Sequence, residues 1–364
     1  MSKDGRQVRS IASIDEGNRP SVAGYLEIDL VRFLRQHFEP VQASVPPLFD
    51  LPDLVLVNPS AGGGHASDTL PALRAFATRS SWNVEFRKTS SADDLAEQAR
   101  AAARSGHVRL FVLGGDGSFQ DLVNATAKYP DVVLGILPAG GGNDLADALG
   151  LPHHPVRAAE LLRDGDSCLM DVASVETADG QKRIYTGGGG VGIDAESAHI
   201  AATRFHKLTG KFRYLLSAAF ALIETGTVTV RVSQSKDGIP GSTLSTTALL
   251  VAVLNTPSYG SGLRFAPEAK INDGLLDLVI VEALSPLELL VALPRLIIWG
   301  EVRSPRVKRY QVHEVTIDTG IPRRFHGDGE ILGSAPVKIS VLPQAIRVLC
   351  PKNSPLSAKQ ARVE

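Results

Sequence analysis

Residues 108–118 read VRLFVLGGDGS, and residues 132–144 read VVLGILPAGGGND. Each is an apolar run of strand length that ends in a cluster of glycines and then gives way to a helical pattern. Working outward, 54–57 is another apolar run, followed by the loop Asn58-Pro59-Ser60-Ala61-Gly62-Gly63-Gly64. Behind that loop Leu70, Leu73, Phe76 and Ala77 recur at helical spacing. Residues 83–88 read as a strand, and Ser91 with Asp94 opens a helix through Arg104 in the manner of a capping box. Strand, glycine loop and helix in repetition specify a mostly parallel α/β sheet, which binds ligands at the carboxyl ends of its strands. The glycine loops sit at those ends.

After about Gly165 the character changes. Residues 227–232 alternate strictly (TVTVRV), and 183–186, 247–254, 275–281, 314–318 and 337–342 are further strand candidates, with a Gly/Pro/Ser-rich turn at 237–242. Only two helical stretches, 194–204 and 211–225, lie among them, so an antiparallel second domain is expected. Residues 345–349 could return to the first sheet. Residues 1–50 match no motif, and 28–38 read as a short amphipathic helix in an appendage of unknown role.

Composition narrows the function. A chain of 364 residues exceeds the usual size of one core, so two domains are the default. A net charge of -1 gives no basic excess of the kind nucleic-acid binders carry. The two cysteines, Cys168 and Cys350, are too few for a disulfide framework and suit a reducing, cytosolic setting. The opening MSKDGRQVRS has no apolar segment, so no signal peptide is expected. The most apolar stretch, 283–299, is broken by Pro286, Glu288, Pro294 and Arg295. A bilayer span needs about 20 uninterrupted apolar residues, so this stretch reads as a buried helix or helix pair.

Several motifs could carry chemistry. Gly114-Gly115-Asp116-Gly117-Ser118 lets backbone N–H groups approach phosphate oxygens at a helix N-terminus. Asp116 would repel phosphate unless a metal or a hydrogen-bonding role keeps it there. Gly140-Gly141-Gly142-Asn143-Asp144, on the next strand, could enclose the same nucleotide from the other side. No G-x-x-x-x-G-K-[ST] occurs, which excludes a P-loop enzyme. Gly187, Gly189 and Gly192 satisfy G-x-G-x-x-G only formally, outside the βαβ region, and read as a hinge or sheet crossing. Asn124-Ala125-Thr126 is a glycosylation sequon in form alone. Asn272-Asp273-Gly274-Leu275-Leu276-Asp277 is either an Asx turn or a metal site. Phe325-His326-Gly327-Asp328-Gly329-Glu330 is either an Asp-Gly hairpin or a pair of carboxylates. In an extended segment that pair would point one way, to activate a hydroxyl or hold Mg²⁺. Arg204, His206, Lys207, Lys211 and Arg213 lie among Phe205, Phe212 and Tyr214, a mix suited to an anionic bilayer or to a solvated helix face.

Taken in order, VNPSAGGG, GGDGSFQDLVNA, ILPAGGGNDLADALGLP, GVGIDA, FAPEAKINDGLLDLVIVE and GDGEIL resemble the diacylglycerol kinase catalytic-domain family. That family includes bacterial lipid kinases, sphingosine kinases and ceramide kinases. The resemblance runs from about Leu54 to Pro351. It implies an α/β nucleotide-binding domain of the NAD kinase/diacylglycerol kinase type over 51–165, completed by 344–352. An antiparallel β-rich substrate domain over 166–343 would follow, with ATP between the two. By position, Asn58, Thr89, Gly114, Gly115, Asp116, Gly117, Ser118, Phe119, Gln120 and Gly141 match nucleotide-contacting residues. Glu330 matches the catalytic carboxylate, with Asp328 its partner, and Asp273 with the carbonyls of Lys270 and Leu275 matches a structural Mg²⁺ site. Three positions depart from the family: Ser118 for Thr, Gln120-Asp121 for Asn-Glu, and Gly141 for Thr, which removes a hydroxyl from the nucleotide site.

The implied activity is ATP-dependent phosphorylation of a lipid hydroxyl, most readily that of diacylglycerol, by a cytoplasmic protein that meets its lipid at a membrane surface. A homodimer is compatible with this reading, and nucleic acid is not an expected partner. The rivals are a sphingoid-base kinase, an NAD kinase-like enzyme and a nucleotide-binding regulator without catalysis. NAD kinases share the GGDG loop but follow it with a G-x-N-x-G pattern, whereas Gly140-Gly141-Gly142-Asn143-Asp144 stands here.

Overall fold

The strands β1 (Asp53–Val57), β2 (Val84–Lys88), β3 (Arg109–Gly114) and β4 (Val133–Pro138) form a parallel sheet in the order β2-β1-β3-β4. Leu54, Val55, Leu56, Leu110, Phe111, Val112 and Leu113 are fully buried, as strands covered on both faces require. Helices α1 (His65–Arg79), α2 (Ala92–Arg104), α3 (Asp116–Thr126), α4 (Asp144–Ala148) and α5 (Pro155–Leu162) return the chain. They bury Leu73, Leu95, Ala99, Phe119, Leu122 and Leu162 in the same core. Ser91 caps α2 by accepting the Asp94 N–H.

This computed structural model describes residues 51–192, 228–236, 239–260, 262–284, 288, 304–352, 354 and 356, all within one compact unit, Val41–Glu364. The helix expected at 28–38, the helical stretches 194–204 and 211–225, the basic and aromatic patch and nearly all of 283–299 lie outside the described residues.

The rest is antiparallel and β-rich. In chain order it contains β5 (Asp166–Thr177), β6 (Lys182–Tyr185), β7 (Gly188–Gly192), β8 (Val228–Lys236) and β9 (Ile239–Leu254). There follow β10 (Leu276–Glu282), β11 (Val307–Val312), β12 (Glu314–Asp318), β13 (Arg324–Gly327), β14 (Glu330–Ser334) and β15 (Val337–Cys350). The order β14-β13-β7-β9-β8-β12-β15 continues directly into β4. The join is β15, antiparallel to β12 and β5 along most of its length but parallel to β4 at Arg347 and Val348. One hydrogen-bonded sheet therefore runs through both halves. Its register is set by a bulge between Leu342 and Ile346, where Gln344 has φ 50.

Three local expectations are corrected. Residues 239–242, read as turn, belong to β9, where Pro240 pairs with Ser235 beside a register shift, the place a proline can occupy in a sheet. The glycine run at 188–192 is a strand, because β9 and β13 pair with it on both sides despite its poor strand propensity. Cys168 and Cys350, set aside as a disulfide framework, are bonded to each other with Cα atoms 6.3 Å apart. Chain separation hid this pairing; β5 and β15 bring the two together.

Candidate active site

Three loops at the carboxyl ends of the parallel strands converge. The Asn58 amide donates to Ser118 Oγ at 2.8 Å, and its oxygen accepts the Ser60 N–H and hydroxyl, so the first loop is tied to the second. A Cβ on Gly62 would overlap the Ala139 carbonyl. A Cβ on Gly140 would lie 2.6 Å from the Gly115 Cα, so the second and third loops touch backbone to backbone. Asn143, with φ 62, closes the third loop by accepting from the Gly140 N–H at 2.9 Å and donating to its carbonyl at 3.0 Å.

Asp116 resolves the question its sequence position raised. Its two oxygens accept the N–H groups of Asp144 and Leu145, each at 3.1 Å, so it caps α4 and locks the two glycine loops together. Burial, then the charges of Asp144 and Asp328, push its carboxyl up to about 7. Asp144 in turn accepts the Gly262 N–H at 2.8 Å.

The remaining residues expected to contact a nucleotide divide. Gly141 is exposed at the crown of its loop. Thr89 is buried, with its hydroxyl and N–H both donating to Val57 O. Phe119 points into the core, and Gln120 donates to Ile184 O, so neither side chain faces the loops. Asn124, the sequon asparagine, donates to Ile184 O and accepts its N–H, which fixes β6 to α3.

The D-G-E triplet meets these loops from the other half. Asp328 (φ 50) and Gly329 (φ 89) are the two-residue turn between β13 and β14, in the backbone region that Asp-Gly hairpins use. A Cβ on Gly117 would lie 3.5 Å from Asp328 O and 3.8 Å from Glu330 Oε1. The glycine loop and the carboxylate turn are thus in contact. The expectation that Asp328 and Glu330 point the same way is corrected, because the alternation of an extended strand does not pass through a tight turn. Glu330 is exposed, whereas Asp328 turns inward onto the backbone of 186–188. Burial pushes Asp328 above the usual carboxylate range, and those donors pull it back. Asp121 on α3 faces the same place: burial, then the Glu330 charge, pushes it up to about 6, and Arg183 opposes this.

The residues expected to hold a metal, Lys270, Asp273 and Leu275, lie apart from this turn in the sequence. Asp273 Oδ1 accepts the Leu275 N–H at 3.2 Å, and Lys270 is exposed. Burial, then the Asp273 charge, pushes Asp277 up to about 6; Glu268 adds to this and Arg309 opposes it. Among the described residues no three His, Cys, Asp or Glu side chains converge on one point. A cation here would be held by carboxylate and main-chain oxygens. Excess negative charge and hard oxygen donors fit Mg²⁺.

Sequence reasoning missed Thr186, and it placed Asn143 and Asp144 in a loop around the nucleotide without the hydrogen bonds by which they lock that loop. The G-x-G-x-x-G run was a usable signal, since crowded glycines mark a close approach of backbone.

Comparison with known proteins gives a consistent picture. Residues 52–175 match the model of the diacylglycerol kinase catalytic domain, and residues 189–350 match the YegS C-terminal NAD kinase beta sandwich-like domain. The diacylglycerol kinase of Mycobacterium tuberculosis is 28% identical over 306 residues, which covers 82% of this chain and 94% of that protein. A Pseudomonas fluorescens protein named "Probable lipid kinase YegS-like" is 30% identical over 283 residues, 76% of this chain and 88% of its own. A solved structure described as a diacylglycerol kinase from Bacillus anthracis str. Sterne shares the fold, with TM-score 0.60 at 22% identity, over 82% of this chain and 97% of that one.

Proposed function

We propose that this chain, which belongs to the bacterial diacylglycerol kinase family of ATP-dependent lipid kinases, transfers the γ-phosphoryl group of ATP to the hydroxyl of diacylglycerol or a closely related lipid alcohol. The observation that carries the reading is the approach of Glu330 to Gly117, which puts an exposed carboxylate against a phosphate-type glycine loop. The names of the Mycobacterium tuberculosis and Pseudomonas fluorescens relatives support the acceptor class.

In this reading residues 51–165 and 344–352 form the nucleotide half, and 166–343 the acceptor half. Backbone N–H groups of 114–118 and of Gly141 hold the phosphates, with the partial positive charge at the start of α3 behind them. Glu330 accepts the proton of the lipid hydroxyl as that oxygen attacks the γ-phosphorus in line, and the bond from the γ-phosphorus to the bridging oxygen breaks on the opposite side to release ADP. Mg²⁺ bound with the nucleotide supplies neutralisation of the charge that develops on the transferred group. A structural Mg²⁺ would rest on Asp273 and the carbonyls of Lys270 and Leu275. The acceptor is met at a membrane surface; among the described residues no helix is long and apolar enough to cross one.

The test is transfer from γ-radiolabelled ATP to diacylglycerol, sphingosine and other lipid alcohols in detergent micelles, with NAD as control. Labelled phosphatidic acid is the expected product. Label on sphingosine or NAD alone would overturn the acceptor, and label on none of them would overturn the kinase reading.

A further inference from the structure

Asp328 is enclosed by donors. Its Oδ2 accepts the Thr186 N–H at 2.7 Å and the Thr186 hydroxyl at 2.9 Å. Its Oδ1 accepts the N–H groups of Gly187 at 2.8 Å and Gly188 at 3.1 Å. A carboxylate offers about four lone-pair directions, and here each oxygen already receives two donors. The backbone closes the grip, because Asp328 N–H donates to Gly188 O at 2.8 Å.

The cradle is rigid from behind. Asn255 donates its N–H to Gly187 O at 2.7 Å and its amide to Thr186 O at 2.9 Å. A Cβ on Gly187 would lie 3.0 Å from Asp328 Oδ1, and one on Gly188 would lie 2.7 Å from the Tyr259 ring. A side chain at Gly187 would crowd the carboxylate, and one at Gly188 would overlap both Leu254 and the tyrosine. Upstream, Asn124 on α3 clasps Ile184, so the helix that begins at the glycine loop also fixes the strand that leads into the cradle.

From this geometry we infer that Thr186 is a positioning residue: with the Gly187 and Gly188 N–H groups it anchors Asp328 as a strut, leaving Glu330 as the carboxylate of the triplet that is free to take a proton. The inference rests on the kinase reading for its chemistry but not for its geometry. Gly329 stands in open space, so the turn has no side-chain packing at that residue to hold Glu330 against Gly117. The Asp328 anchor does that instead.

The variants are Thr186→Val, which keeps the shape and removes the hydroxyl, and Thr186→Ser, which keeps the hydroxyl. With ATP and diacylglycerol in mixed micelles, Thr186→Val is expected to lower kcat roughly tenfold or more, since small misplacement of a reacting group is costly. The KM for ATP should stay within about twofold, and Thr186→Ser should restore most of the rate. Hydrogen exchange over residues 325–332 reads the anchor without turnover, rising in Thr186→Val but not in Thr186→Ser. A wild-type kcat in Thr186→Val, or unchanged exchange, overturns the anchor. So does a loss that follows a collapse in melting temperature and that serine does not rescue. A wild-type chain inactive on every lipid, with exchange still rising in Thr186→Val, sinks the kinase reading and leaves the anchor standing.

Discussion

At Gly140 the missing side chain sets the width of the site. A Cβ there would sit 2.6 Å from the Gly115 Cα and 2.9 Å from Asn143 Oδ1, and neither backbone nor a doubly bonded amide yields easily. Gly140→Ala should therefore spread the two loops and weaken ATP binding at least tenfold by calorimetry, in a protein that still folds; unchanged affinity would contradict the loop-packing account. Glu330 is the opposite case, an exposed side chain whose chemistry matters more than its volume. Glu330→Gln keeps shape and removes the base, so turnover should fall about 10² or more while ATP still binds. A variant near wild-type rate would remove Glu330 from the proposed role. The D-G-E triplet was legible in the sequence, with Glu330 as its expected catalytic carboxylate; the inward turn of Asp328 was not. Asp328 is set apart by backbone donors 140 or more positions away in the chain, which no local pattern encodes.

Among the elements, α3 and the 271–275 loop carry most of the consequence. Helix α3 starts at the glycine loop and, through Gln120 and Asn124, holds Ile184 of β6, so one helix sets both sides of the site. The departure from Asn-Glu to Gln120-Asp121 thus falls on a helix–strand clasp at Gln120 and on a carboxylate near Glu330 at Asp121. The 271–275 loop is tied down by Asp171, which is fully buried and accepts the N–H groups of Gly274 and Gln344, each at 2.7 Å. A cation on Asp273 would pin the free side of the same loop. Asp273→Ala should then lower the melting temperature and abolish the added protection that Mg²⁺ gives wild type, with nucleotide affinity at saturating Mg²⁺ little changed. If it melts like wild type yet transfers no phosphate, Asp273 belongs with the chemistry instead.

Over the whole molecule, buried carboxyls give stability a defined pH slope. Asp116 is pushed up to about 7 and Asp121 and Asp277 to about 6, all from 3.8. The folded state binds these protons more tightly than the unfolded chain does. Their contribution is therefore full below about pH 4 and is lost as pH rises through 6 to 7. The melting temperature without Mg²⁺ should fall from pH 5 to pH 8, and Asp116→Asn should flatten the upper part of that slope; a rise across this window would refute the assignment. The parallel half of the fold was determined by the sequence itself, because apolar runs ending in glycine and followed by helical spacing are local signals. Ordered motifs likewise carried the family. The return of 345–349 to the first sheet was also an expectation from sequence, and Arg347 and Val348 pair with β4. Tertiary structure alone decided the glycine strand β7, the bond between Cys168 and Cys350, and the inward turn of Asp328. Each depends on partners far apart in the chain, whose pairing energy outweighs what their own residues prefer.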